Sequence, residues 1–346
     1  YNSAFMNMMR DEKNAEYRSV MKNTIEFDPE ILRRYVNFMN NPDEETAVAQ
    51  FGKGGKYFGV CTMMITMPGL PMFGHGQVEG LEEKYGMEYK RAYYNETADG
   101  ALIARHEREI FPLLHRRRLF AGVENFLLYD FYSDNGTVIE DVFAYSNREG
   151  TEGSLVLFHN KWGEARGWIK PSAAYAVKTG DGDEKTLEQR HLAEGLGLTY
   201  DSEYFTIFRE HVTGLEYLLN SKDLHEKGMY FNLGAFEYRV YLDFREVQDV
   251  KGEYATLADY LHGRGVPSIE EARKEIFLRS VLEPYRALVS VELVRGLARF
   301  AGSAELQVNK SANQQKVNQQ ENTEYEVPDT NQQIANQQLE IHDLRS

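Results

Sequence analysis

Cysteine, positive charge and long apolar runs are what this 346-residue chain has least of. Its single cysteine, Cys61, rules out an internal disulfide framework. That residue lies in the apolar run 57–67, where a thiol reads as buried and inert. No stretch approaches the ~18 apolar residues of a membrane span. No signal peptide is visible, although the chain opens on Tyr1, and the expected location is cytoplasmic by default. Lysine and arginine number 39 against 54 acidic residues, for a formal net charge of −15. Phosphate backbones are bound by clustered Lys and Arg, so this balance argues against nucleic acid and favours neutral or cationic ligands.

What is present describes a well-cored protein. Hydrophobic residues make up 42% and charged residues 27%, and the length suffices for two domains. Tyrosine (22) and phenylalanine (19) are abundant, and most of them belong in a core.

Along the chain, 1–34 reads as helical and 35–39 as a strand. A short acidic helix follows over 43–51 and is stopped by Gly52. A helical stretch, 56–67, precedes the glycine-rich loop 69–76 and a surface segment, 79–99. A long amphipathic helix is expected over 102–120. The period then becomes strand-like at 126–131, 138–145, 154–159 and 167–177, with Gly, Asn and Asp turns between, which is the texture of an antiparallel β domain. Helical material is expected at 186–194 and 202–219, and strand again over 229–247 with Gly234 as a turn or bulge. Ser268-Ile269-Glu270-Glu271 is a capping box opening a helix towards Phe300, kinked or split by Pro284. From Ser303 the triplet Asn-Gln-Gln recurs at 313, 318, 331 and 336, and apolar residues are too sparse for a core.

Two segments carry the chemistry. The first is Asn37-Phe38-Met39-Asn40-Asn41-Pro42-Asp43-Glu44, the second Pro68-Gly69-Leu70-Pro71-Met72-Phe73-Gly74-His75-Gly76-Gln77. Each is an extended apolar run ending in a polar loop, with a helix between them. That is the rhythm of consecutive βα units in a parallel barrel, whose chemistry sits at the C-terminal strand ends. A plainer reading of the first also stands: Asn41 as N-cap, Pro42 at the first helical position, and Asp43, Glu44 and Glu45 complementing the helix dipole. His75 reads either as a loop residue or as lining a ligand subsite.

The pair resembles the last two barrel strands of the α-amylase family, glycoside hydrolase family 13. Asn41-Pro42-Asp43 stands where that family has Asn-His-Asp, and Gly69-x-Pro71 with Gly76 matches its eighth-strand pattern. The resemblance implies that Asp43 stabilises an oxocarbenium-like transition state, that Asn41 orients it, and that His75 contacts substrate. It implies an α-glucan or maltooligosaccharide substrate, a retaining mechanism and no cofactor. Calcium stays open, because the family's usual calcium site is built largely from earlier segments. Two departures are visible: Pro42 replaces a hydrogen-bonding histidine, and Val78 stands where Glu is usual, with Glu79 one residue late. The strands that supply nucleophile and acid/base are expected upstream of Tyr1, which makes the chain a fragment that is inactive alone.

The run 141–148 followed by 155–160 resembles the opening of the β domain that follows the barrel. The expected fold class is therefore α/β plus β. Residues 1–122 form the C-terminal portion of a (β/α)8 barrel and 123–250 an antiparallel β domain with helical insertions. A helical segment, 251–302, and a polar tail, 303–346, complete the chain. Alternatives are a glycosyltransferring member of the family and a non-catalytic glucan-binding or scaffold protein derived from it. Two or three parallel strands alone would leave open edges and an uncovered apolar face.

Other signals fail. The glycines at 52–55 lack the spacing of a phosphate loop. His106-Glu107-Arg108-Glu109 does not set two histidines four apart. Arg116 to Arg118 read as cations complementing the end of their own helix. Asn95-Glu96-Thr97 and Asn135-Gly136-Thr137 match glycosylation sequons. Trp162 and Trp168 read as core residues of the β domain, with stacking on sugar as the alternative.

Overall fold

Three helices open the chain: α1 (Ser3–Arg10), α2 (Asn14–Phe27) and α3 (Glu30–Arg33). The Asn2 side chain caps α1 by accepting from the Phe5 amide at 3.2 Å. In α2, Tyr17, Met21 and Ile25 recur at helical spacing and are all buried. Strand β1 (Val36–Phe38) follows, then α4 (Ala47–Phe51), α5 (Gly55–Thr66) and β2 (Leu70–Met72). β1 and β2 pair in parallel, Val36 opposite Leu70 and Phe38 opposite Met72, so the expected strand–helix–strand unit is present. The computed structural model describes residues 1–86, 90–180, 184–288 and 290–301. Among these the parallel sheet has two strands, which is one β-α-β unit and not a barrel.

The helix expected over 102–120 is three pieces, α6 (Gly100–Glu109), α7 (Phe111–His115) and α8 (Arg117–Ala121). Pro112, at the start of α7, has no amide hydrogen to continue the ladder from α6. The arginines also work differently from expectation. Arg117 reaches away from its own helix and donates to the carbonyls of Ile65 (2.6 Å), Met67 (3.0 Å) and Gly69, closing the C-terminal end of α5. Burial holds its pKa down to about 10. Arg116 pairs with Asp243 at 2.6 Å, and Arg118 with Glu149 at 2.9 Å.

The second half of the first compact unit, Tyr1–Phe277, is built on an antiparallel sheet of eight strands. They are β3 (Leu127–Tyr132), β4 (Val142–Glu149), β5 (Glu152–His159), β6 (Ala165–Ser172), β9 (Tyr204–Glu210), β10 (Glu216–Asn220), β11 (Met229–Leu233) and β12 (Tyr238–Gln248). Their order is β10-β9-β12-β5-β4-β3-β6-β11. A separate hairpin pairs β7 (Tyr175–Lys178) with β8 (Lys185–Glu188), and α9 (Leu192–Leu196), α10 (Ser221–Lys227) and α11 (Glu253–Leu261) lie between or after the strands.

Two expected helices are corrected. Residues 202–219 form the β9–β10 hairpin, and 186–194 divides between β8 and α9. β9 misleads because both of its faces are covered. Phe205 and Ile207 pack with Leu218, Leu257 and Leu261, while Phe208 joins the main core. A strand buried on both sides loses the alternation that would reveal it. Trp162 is also corrected: it is 82% exposed, and Trp168 is half-buried.

One core runs through the unit from Phe5 and Met6 to Tyr241 and Leu242, across the boundary expected at 122. The apolar face of the first helices lies against the antiparallel sheet. Arg18, fully buried, donates from Nε to Glu140 at 2.7 Å, from Nη1 to the Val142 carbonyl at 2.8 Å, and from Nη2 to Asp130. Asn14 and Asn160 exchange hydrogen bonds nearby, Asn160 Nδ2 donating to Asn14 Oδ1 at 2.8 Å and Asn14 Nδ2 to the Asn160 carbonyl at 2.9 Å.

The second unit begins at Leu278. Helix α12 (Ile269–Leu288), with Pro284 inside it, and a further helical run, 291–301, are described. The polar tail at 303–346 lies outside the described residues.

Candidate functional site

The parallel register brings the loops after Phe38 and after Met72 to the same end of the two-stranded sheet. Asn37, within β1, is buried and fixed from both sides. Its Oδ1 accepts from Asn2 at 2.9 Å, and its Nδ2 donates to the Pro68 carbonyl at 3.0 Å.

Asn41 caps, as the plainer reading required, but it caps a turn. Its Oδ1 accepts from the amides of Asp43 (2.9 Å) and Glu44 (3.1 Å), while α4 starts only at Ala47 with Thr46 as its N-cap. Asp43 leaves this turn with its side chain exposed, and its backbone carbonyl accepts from Lys84 Nζ at 2.8 Å. His75 is exposed in the second loop, with its ring against Tyr85 at 4.5 Å between centroids. Consecutive residues Lys84 and Tyr85 therefore tie the Asp43 turn to the His75 loop. Asn41, Asp43 and His75 stand on adjoining loops at one sheet end.

Residues beneath them were not singled out from the sequence. Asn40 is 5% exposed, and its Oδ1 has no hydrogen-bond partner among the described residues. It packs onto Gly74, where an added Cβ would come within 2.3 Å of that oxygen. Gln77, also buried, accepts from the Gly74 amide at 3.1 Å and points Nε2 at the Met39 sulfur at 3.3 Å. The Tyr57 hydroxyl donates to the Gln77 carbonyl at 2.6 Å and lies 3.1 Å from His106 Nε2. His106 Nδ1 is 2.9 Å from the Leu102 carbonyl, which places the ring hydrogen on Nδ1. Burial drives the pKa of His106 down, and burial likewise pushes the Cys61 thiol up. The signal for Asn40 was the doublet Asn40-Asn41 ahead of a glycine-rich partner loop, which does not say which asparagine faces inward.

The loop after Gln77 is held by a reciprocal clasp. The Glu83 carboxylate accepts from the amides of Tyr93 (2.7 Å) and Tyr94 (2.9 Å), and the Glu96 carboxylate from those of Glu82 and Glu83. No group of three His, Cys, Asp or Glu among the described residues is placed to hold a metal ion. No helix among them is long and apolar enough to cross a membrane. Chemically, the surface offers an exposed carboxylate and an exposed imidazole above a buried amide, which can accept and donate hydrogen bonds to hydroxyl groups.

No protein-family model matches the chain, and no curated protein does. Solved structures similar to it include an α-amylase from Geobacillus thermoleovorans complexed with acarbose, at 12% identity and a TM-score of 0.39. A noncanonic maltogenic α-amylase from Thermotoga neapolitana is similar at 13% identity and a TM-score of 0.37, and a cyclomaltodextrinase at 13% and 0.39. The likeness is partial. It covers 62%, 60% and 61% of this chain, which spans only 39%, 41% and 30% of theirs.

Proposed function

We propose that this chain forms part of an α-glucan-active enzyme of the α-amylase type, cleaving or transferring α-glucosidic bonds with retention. The observation that carries this reading is the parallel β1–α5–β2 unit, which sets the Asn41–Asp43 turn and the His75 loop side by side at one end of its strands. Asp43 accepts hydrogen bonds from hydroxyls of the sugar at the cleavage point and stabilises the positive charge that develops there. Asn41 orients it through the turn, and His75 contacts the adjoining sugar. A retaining reaction also needs two further carboxyl groups about 5–5.5 Å apart, as nucleophile and acid/base. These are assigned to segments of the whole protein outside this chain.

The test is product analysis of the full-length protein acting on maltoheptaose. Asp43→Asn is expected to lower kcat by roughly 10²–10³-fold with a smaller change in KM. Unchanged kcat in that variant would remove Asp43 from the mechanism. A second reading, a non-catalytic glucan-binding protein, is favoured by Pro42 and Val78, which supply neither the hydrogen-bond donor nor the carboxylate usual at those places. It requires that the full-length protein binds maltoheptaose and releases no product.

A further inference from the structure

The eight-stranded sheet curls without closing. Its edge strands, β10 and β11, stand at opposite ends of the strand order yet are joined by the seven-residue helix α10. A helix of that length spans about 10 Å, so the two free edges approach one another across it. A cavity of about 560 Å³ opens at this gap, within the size range of small-molecule sites.

Tyr217 and Leu219 of β10, Asp223 and Lys227 of α10, and Phe231 of β11 line it. Phe208 and Tyr241 form its buried wall, their rings 5.4 Å apart and edge to face. At the rim, Trp168 of β6 meets Tyr230 of β11 at 5.0 Å, and Tyr230 is 44% exposed. Charged side chains around the cavity pair within the protein. Lys227 pairs with Asp223 at 2.9 Å, while Arg239 donates to Glu237 at 2.6 Å and to the free-edge carbonyl of Asn232 at 2.8 Å. Lys170 Nζ stands over the Trp168 ring, 5.6 Å from its centroid, and His262 also lines the cavity. A ligand with apolar ring faces and many hydroxyls finds both aromatic surface and hydrogen-bonding side chains.

We propose that this cavity is a binding site for a neutral oligosaccharide, whose pyranose faces lie on Trp168 and Tyr230 while Asn232 and the paired Asp223–Lys227 meet its hydroxyls. The site is separate from the Asp43 loops and holds whatever reaction those loops perform. The chain has two tryptophans, and Trp162 is 82% exposed, so Trp162→Phe leaves Trp168 as the single reporter in the full chain. That variant is titrated with maltoheptaose and, separately, with the β-linked cellopentaose, following tryptophan emission. The expected result is a saturable change with at least one of them, weakened about three- to tenfold by adding Tyr230→Ala. Silence of Trp168 with both sugars, or a response that Tyr230→Ala leaves intact, overturns the proposal.

Discussion

His106 is held with its ring 5.5 Å from Tyr57 and 5.1 Å from Phe58, and its depressed pKa comes from burial, opposed by the Leu102 carbonyl and by Glu109. A histidine kept neutral in the fold but free to titrate when unfolded makes the unfolded chain bind more protons below about pH 6.5. Its contribution to stability is therefore complete above that pH and declines as pH falls towards the folded value. Urea unfolding at pH 7.5 and 5.5 is expected to show wild type losing more stability on acidification than His106→Gln; equal losses would mean that this ring does not govern the pH response. Nothing in His106-Glu107-Arg108-Glu109 as a string marks the first residue as interior. Asn40 and Asn41 pose the same difficulty, since identical neighbours take opposite tasks, one packed on Gly74 and one closing the Asp43 turn.

Among the elements, α5 shows what sequence conveys and what it withholds. Its apolar run made a helix legible, and every residue from Tyr57 to Thr66 is buried. The reason for Gly59 was not legible. A Cβ there would sit 2.0 Å from a ring carbon of Phe158 in β5, so the glycine lets strand and helix approach. Gly59→Ala gains about 1 kcal/mol of helix propensity but overpacks by about 1–3 kcal/mol. A net loss of up to about 2 kcal/mol is expected from the shift of the urea midpoint, and a stabilised variant would show that Phe158 yields freely. The strands at 126–131 and 154–159 were readable because turn residues bound them, whereas β9 and β10 were not, their apolar side chains being drawn to two different clusters.

For the molecule as a whole, the first helices and the sheet share one core within Tyr1–Phe277. Arg18 reaches partners as far along the chain as Glu140 and the Val142 carbonyl, 122 and 124 positions away. Arg18→Met leaves the Val142 and Tyr129 carbonyls without this donor and removes one of two cations at Asp130, where Lys22 remains at 2.7 Å, which costs about 1–3 kcal/mol. Chemical unfolding of the full chain, followed by tryptophan emission and by far-ultraviolet circular dichroism, is expected to move by that amount with the two probes still coincident over the shared core. Separate transitions for helices and sheet would divide the core.

The sequence alone determined the local elements whose signals lie within a few residues of one another: the strand before Asn40, the helix before Pro68, and the antiparallel runs between Gly, Asn and Asp turns. It also drew attention to the Asp43 and His75 loops. Only the tertiary structure decided that Trp162 is exposed, that Arg117 closes a neighbouring helix, and that the edges of the curled sheet frame a cavity. Those outcomes depend on which distant side chain supplies the covering surface or the hydrogen bond, and no local pattern of hydrophobicity or turn chemistry carries that pairing.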